Sequence, residues 1–341
     1  MALSAVGALR DLFRDSEINV IAPDFVAGLF KRHPSVDNVL SLKDGAHHGF
    51  KSIGATRKAL AGVGGAFEIG ILLTDSLSSA TAFRLAGVTN IYGYSGNGRS
   101  AILRATAPEA KRPLHRSARY QNLVRFAALH FWENPYWVED VHFERPEIYF
   151  TDVERSAAKG ILTRSGILDS ESVGQGFVAL APQAVAESRR WGAENYAALA
   201  GRIVNELGLH VALVGAKSDH AAGERVRELA GGEGVVNLCG VSLIRGAAAL
   251  LECAKAFVGN DSGLAHLAAL VDIPLVVLSG ADNPAETSPI SEQKTVIERA
   301  ELGCLHCVRN SCPLSGERHM QCMRRIDASE VFTALQIALA K

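Results

Sequence analysis

Residues 259–266 read Gly-Asn-Asp-Ser-Gly-Leu-Ala-His, a set whose types and spacing suit the capture of a phosphate. A helix N-terminus offers free N–H groups and the positive end of a dipole to an anion. Asp261 or Ser262 can cap such a helix through a side-chain oxygen, and Gly263 carries no Cβ to hold a ligand off the backbone. His266 follows Ser262 by four residues and Gly263 by three, so on a helix its ring shares their face and can donate to a phosphoryl oxygen. Taken singly, Asp261 is more simply a cap and His266 a half-buried histidine. The four together at the end of an apolar run favour a ligand.

A second cluster could hold a metal. Four of the six cysteines, Cys304, Cys307, Cys312 and Cys322, form a Cys-x2-Cys-x4-Cys-x9-Cys pattern. In a protein kept in a reducing compartment, gathered thiols bind metal more readily than they form lasting disulfides. Four thiolates suit tetrahedral zinc or an iron centre, with every position filled by protein and a structural role. His306 and His319 are alternative ligands, and the spacing disfavours the reading of four unconnected thiols. Cys239 and Cys253 read as plain buried thiols.

The elements that must position these residues are legible around them. The apolar run 256–258 stops at the polar turn, a helical pattern follows, and a second apolar run occupies 273–278. The same alternation recurs throughout. Strand-like runs at 18–22, 38–41 and 69–73 alternate with helical stretches, and a second series follows at 177–180, 210–214, 256–258 and 275–278. This predicts α/β units with parallel sheets. With 341 residues the chain suits two domains: 1–165, a linker at 166–176, and 177–326 with the Cys-rich loop at 304–322. Asp327 and Glu330 then open a final amphipathic helix over 327–341 that needs a surface to cover.

Composition narrows the function. A net charge of −1 argues against a dedicated nucleic-acid binder. No apolar segment reaches the roughly 20 residues of a membrane span, and the first residues lack a signal peptide's basic start. The expected location is the cytoplasm, with room for peripheral contact at the inner face of the membrane.

The segment 259–270, followed by Ile273 to Gly280 and Asn283-Pro284, resembles the donor-site signature of the ADP-heptose lipopolysaccharide heptosyltransferases, glycosyltransferase family 9. Leu180-Ala181-Pro182, Arg189-Arg190-Trp191, Tyr196 to Ala200, Val214-Gly215-Ala216 and Leu72 to Ser76 resemble the same family in order. So does the tail from Cys304 to Met323. The resemblance implies a GT-B fold, two Rossmann-like domains facing a cleft, with the final helix packing back on the first. It implies an inverting transfer of a sugar, plausibly heptose, from a nucleoside-diphosphate sugar such as ADP-heptose to a lipopolysaccharide-like or other glycan acceptor. No cofactor is required for catalysis.

By position, Asp261, Ser262, Gly263 and His266 would hold the diphosphate and donor sugar. Asp219 would meet the nucleoside, unless it only closes a turn. Asp75 and Ser76 would line the acceptor side, unless they cap a helix. An inverting transfer needs a base for the acceptor proton and a positive group for the departing diphosphate. Arg189 is the candidate for the second role, standing where the family usually has Lys, while Gly192 replaces a usual Pro. The family's general base ends a strand and Gly-rich loop, and Met1 to Ala5 resembles the residues just after it. The base is therefore expected upstream of Met1, and the first domain is expected to lack its first, central strand. A chain that kept the donor site but lost the base would be a non-catalytic sugar-nucleotide-binding or assembly protein, the alternative reading. A third is another enzyme on the same fold, such as a sugar-nucleotide epimerase.

Overall fold

The apolar runs become parallel strands and the amphipathic stretches between them become helices in a computed structural model. The structure describes residues 1–43, 45, 49–64, 66–133, 138, 146–168 and 176–340. Two units are distinguished, Met1–Tyr149 and Phe150–Lys341.

The first unit contains α1 (Leu3–Leu12), β1 (Asn19–Pro23), α2 (Asp24–Ala27), β2 (Asn38–Leu42), α3 (Gly49–Val63), β3 (Ile69–Leu72), α4 (Leu77–Leu85), β4 (Asn90–Tyr94), β5 (Ala105–Ala107) and α5 (Arg116–Phe131). Ala5, Ala8 and Leu12 of α1, with Phe13, pack against Val124 and Ala128 of α5. Every strand pair is parallel, yet the strands form two sheets, β1-β2 and β3-β4-β5. Among the described residues, no strand pairing joins β1-β2 to β3-β4-β5.

The second unit runs α6 (Asp152–Arg164), β6 (Phe177–Ala181), α7 (Ala193–Leu207), β7 (His210–Leu213), α8 (His220–Leu229), β8 (Val235–Asn237), α9 (Ile244–Glu252), β9 (Ala256–Asn260), α10 (Gly263–Leu270), β10 (Leu275–Leu278), α11 (Pro284–Thr287), β11 (Lys294–Ile297), α12 (Gln321–Arg324) and α13 (Ala328–Leu339). Its six strands make one parallel sheet in the order β11-β10-β9-β6-β7-β8. Val178, Leu180, Val211, Leu213, Val258, Val276 and Leu278 enter a core with Tyr196, Leu199 and Ile203 of α7. The alternate residues Phe177, Ala179, Ala212, Phe257, Leu275 and Val277 are equally buried, so both faces are covered and the strands read as continuous apolar runs.

Two expected boundaries change. The first domain was expected to extend to residue 165, but α6 belongs with the second unit. Thr151 caps it, with Glu154 closing the reciprocal bond, and Arg245 in the first turn of α9 holds the Glu154 carboxylate at 2.9 Å. That ion pair pushes the Glu154 pKa down to about 2. The division lies at 149/150, and residues 169–175 of the expected linker are outside the described residues. The final helix also differs from the expectation that it packs back on the first domain. Asp327 caps α13, accepting from the Ser329 N–H at 2.8 Å, and Val331, Phe332, Leu335 and Ala338 join the core of the second unit. There α13 lies beside α7, over β9, β10 and β11. Glu330 does not complete a capping box but pairs with Arg299. Among the described residues, no helix is long and apolar enough to cross a membrane.

Candidate active site

The order of the six-stranded sheet reverses between β6 and β9: the chain runs outward from β6 to β7 and β8, then returns to β9 and moves the other way. Loops leaving the carboxyl ends of two such strands diverge and open a crevice, the usual ligand position in open α/β sheets. The loop after β6 carries Arg189, and the loop after β9 carries Asp261 to Gly263. Asn260, fully buried, ties the two ends together by accepting from the Trp191 N–H at 3.2 Å and donating to the Ala181 carbonyl at 3.4 Å. The Trp191 indole donates to the Ile326 carbonyl at 2.9 Å and stacks edge-on against Tyr196. Gly192 follows at φ +105°, a backbone no proline can adopt, so its departure from the family's residue is built into this turn.

Neither expected cap closes α10. Ser262 is the N-cap by backbone, but its side chain makes no capping bond and its Oγ is a buried atom with no partner. Asp261 turns elsewhere: it is 3% exposed, accepts from the Thr287 hydroxyl at 3.3 Å, and lies 4.0 Å from His266 Nε2. The Gly263 and Leu264 amides find no acceptor among the described residues. A Cβ at Gly263 would meet nothing within 4 Å. The helix start is thus a polar recess with donors facing open space.

Sequence reasoning missed three neighbours of Asp261. Asp282, 3% exposed, lies just past β10, with Oδ1 2.7 Å from Arg189 Nε. The pair is an ion contact and not an aligned hydrogen bond, because that N–H finds no acceptor in line. Lys294 of β11 donates to the Pro289 carbonyl at 2.8 Å and faces Asp261 electrostatically. Thr287 of α11 is the third. Burial, and then the charge of Asp282, push the Asp261 pKa up to about 7, against weaker lowering by Thr287, Arg189 and Lys294. Burial also raises Asp282 and lowers Lys294. The signal available in sequence was only the polar character of residues 279–288 after a buried strand, which says nothing about their convergence with Arg189.

Other expected residues lie where local chemistry holds them. The Asp219 carboxylate accepts from the Ala216 N–H at 2.8 Å, closing the turn after β7. Ser76 is the N-cap of α4, accepting from the Ser79 N–H at 3.4 Å. Asp75, half exposed, binds Arg99 at 2.9 Å and Arg119 at 3.4 Å. Arg99 is fully buried and also donates to the carbonyls of Tyr94 and Thr74. Both arginines escaped sequence reasoning, since neither sits in a recognisable motif.

The four clustered cysteines form no disulfide. Burial and the charges of Cys304, Cys307 and Cys312 raise the Cys322 thiol, so all four share one neighbourhood. The Met320 N–H reaches Cys312 Sγ at 3.3 Å, and the Gln321 amide reaches Cys304 Sγ at 3.7 Å. As placed, no three His, Cys, Asp or Glu among the described residues converge closely enough to hold an ion.

Comparison with known proteins gives the site its context. The lipooligosaccharide heptosyltransferase 2 of Haemophilus influenzae is 28% identical over 306 residues, 88% of this chain and 85% of that protein. The structure of E. coli ADP-heptose LPS heptosyltransferase II superposes with a TM-score of 0.75 at 25% identity, covering 99% of this chain and 94% of the other. A family 9 glycosyltransferase from Veillonella parvula reaches 0.82 at 17% identity, covering 99% and 93%, a likeness of fold. The sequence model of glycosyltransferase family 9 (heptosyltransferase) matches residues 54–317, a span holding the helix α10, Arg189 and Asp282. The chain is a glycosyltransferase, and it belongs to glycosyltransferase family 9.

Proposed function

We propose that this chain transfers heptose from ADP-heptose to a lipopolysaccharide-type glycan acceptor with inversion at the anomeric carbon. The observation that carries the reading is the unclosed start of α10 at the switch point of the sheet, with amides that find no acceptor among the described residues, the orphan Ser262 hydroxyl, and the Arg189 side chain on the loop after the neighbouring strand β6. The diphosphate would sit on the Gly263 and Leu264 amides. His266 would donate to it, and Arg189 would offset the charge that grows as the sugar leaves. Asp261 would hold donor hydroxyls, and Asp219 the nucleoside. The relatives named for ADP-heptose and heptosyl transfer support the choice of donor. Asp75 and Ser76 belong to the acceptor side in this reading, which makes the arginines around Asp75 part of that surface. The enzyme would work in the cytoplasm, at the inner face of the membrane where a glycolipid acceptor is presented.

Gly263→Ala tests the placement. The new methyl meets no protein atom within 4 Å, and alanine suits a helix better than glycine by up to about 1 kcal/mol, so the melting temperature should hold or rise. ADP binding measured by calorimetry should weaken about tenfold, on the order of 1.4 kcal/mol. Unchanged binding would remove the diphosphate from α10.

We read the cysteine cluster as a structural zinc or iron site, on the strength of the four-thiol spacing and the shared neighbourhood of Cys322. Protein purified without chelator should carry about one equivalent of zinc plus iron, lost in Cys322→Ser. Fewer than about half an equivalent would count against a constitutive site.

A further inference from the structure

We propose that Asp282 is a positioning residue for Arg189, aiming its guanidinium edge at the donor diphosphate. The inference rests on the reading of Arg189 as the group that meets the diphosphate.

Four observations carry it. Asp282 is 3% exposed, and its Oδ2 has no hydrogen-bond partner. A buried carboxylate left half unsatisfied is an expensive way to fill space, because an apolar or hydroxyl side chain would pack there at lower cost. Its close cationic partner is Arg189, met at Nε at 2.7 Å. A guanidinium engaged at Nε keeps both terminal nitrogens available, and those of Arg189, 30% exposed, make no hydrogen bond among the described residues. That is the two-pronged edge that suits a phosphate oxygen pair.

The residue type explains why a partner is needed. A lysine delivers a point charge whose direction hardly matters, whereas an arginine delivers a plane whose orientation decides how many phosphate bonds form. A buried anion in contact with Nε limits how that plane can turn.

The backbone arrangement points the same way. Ser188 donates through its N–H to the Asn310 carbonyl at 3.1 Å and through its hydroxyl to that of Arg309. On the other side, the His306 N–H donates to the Gly280 carbonyl at 3.0 Å and the Val308 N–H to that of Ala281 at 2.7 Å. The cysteine-rich loop therefore splints both turns, the one before Arg189 and the one before Asp282. Val308 adopts φ +53°, a left-handed conformation that a β-branched residue takes only where the surroundings impose it. The loop accepts strain to keep these two turns in register.

The test is a double-mutant cycle read by calorimetry with ADP and AMP and by steady-state transfer. Arg189→Ala should weaken ADP binding about 10- to 30-fold and Asp282→Asn about 5- to 10-fold, with AMP, which lacks the second phosphate, nearly unaffected. In the Arg189→Ala background, Asp282→Asn should cost nothing further. In Arg189→Lys, which has no plane to aim, it should cost less than in the wild type. A merely structural Asp282 would give additive losses, AMP included, and that result overturns the inference. If Asp282→Asn melts far below the wild type, the Arg189→Lys comparison is made with Asp282→Glu, which keeps the charge and should retain more ADP affinity than Asn. If the wild type binds no ADP, the donor reading itself fails and takes the inference with it. If the wild type binds ADP and Arg189→Ala does not weaken it, the inference alone falls.

Discussion

Asp261→Asn should stabilise the protein above neutral pH while costing it donor use. The carboxyl is 3% exposed, with a pKa pushed up to about 7 by burial and by Asp282, against an ordinary value of 3.8. Between those two values the folded state holds a proton that the unfolded chain has released. The wild type therefore loses stability as pH rises from about 4 to 7 and stays at the lower level above. Asparagine has no charge to bury and loses nothing over that range. The gap between variant and wild type should be small near pH 4 and grow to on the order of 4 kcal/mol by pH 8. Urea titrations of both proteins across that range measure it, and a gap independent of pH would show that Asp261 is not held as the structure places it. If the carboxylate accepts charge-assisted bonds from donor hydroxyls, the same variant should lose about 10- to 100-fold in kcat/KM, from bonds worth roughly 1.5–3 kcal/mol. A residue whose removal helps folding and harms transfer is present for function.

Arg99→Ala should destabilise the first unit by about 3–5 kcal/mol, the loss typical of breaking a buried ion pair from one side. The guanidinium is fully buried, and it satisfies the Tyr94 and Thr74 carbonyls as well as Asp75. Truncation strands those acceptors and leaves a cavity where the side chain packs under Gly93, whose position faces the guanidinium. Asp75→Asn should cost far less, about 1 kcal/mol, because that carboxylate is half exposed and Arg99 keeps both backbone acceptors. Denaturant titration of the two variants decides the matter. Equal losses would mean that the Asp75 contact, and not the backbone bonds, holds Arg99. The pair also separates structure from acceptor binding: a loss of transfer in Asp75→Asn without a loss of stability would point to contact with the acceptor.

Much of the fold was legible because its strands are unusually apolar. β6, β9 and β10 are buried along their whole length, so their sequences read as uninterrupted hydrophobic runs and the helices between them as amphipathic stripes. The strands that escaped notice, β5, β8 and β11, hold three or four residues each. Their partial exposure dilutes the pattern. β4 was missed for another reason: Asn90-Ile91-Tyr92-Gly93-Tyr94 carries an asparagine and a glycine, both disfavoured in strands, within only five residues. The destination of α13 was also invisible, since a stripe of apolar residues states that a surface must be covered without saying which one.

The donor segment was legible for a local reason. Glycine, serine and histidine spaced over one helical turn after a buried strand are decided by neighbours in sequence, and so the recess at α10 could be foreseen from residues 259–266. Local rules also governed Ser76, Asp219 and Asp327, whose carboxylates and hydroxyl bond amides within three residues. What the sequence by itself determined about this protein is the α/β alternation, the phosphate-suited turn and the family it belongs to. Only the tertiary structure decided that Asp282, 93 positions from Arg189 and on a different strand's loop, meets it at 2.7 Å. It likewise decided that Asp261 forgoes the helix cap for Thr287, and that Arg99 is buried beneath Asp75. Burial and charge proximity set those roles, and both depend on which strands the sheet places side by side, a quantity no window of sequence contains.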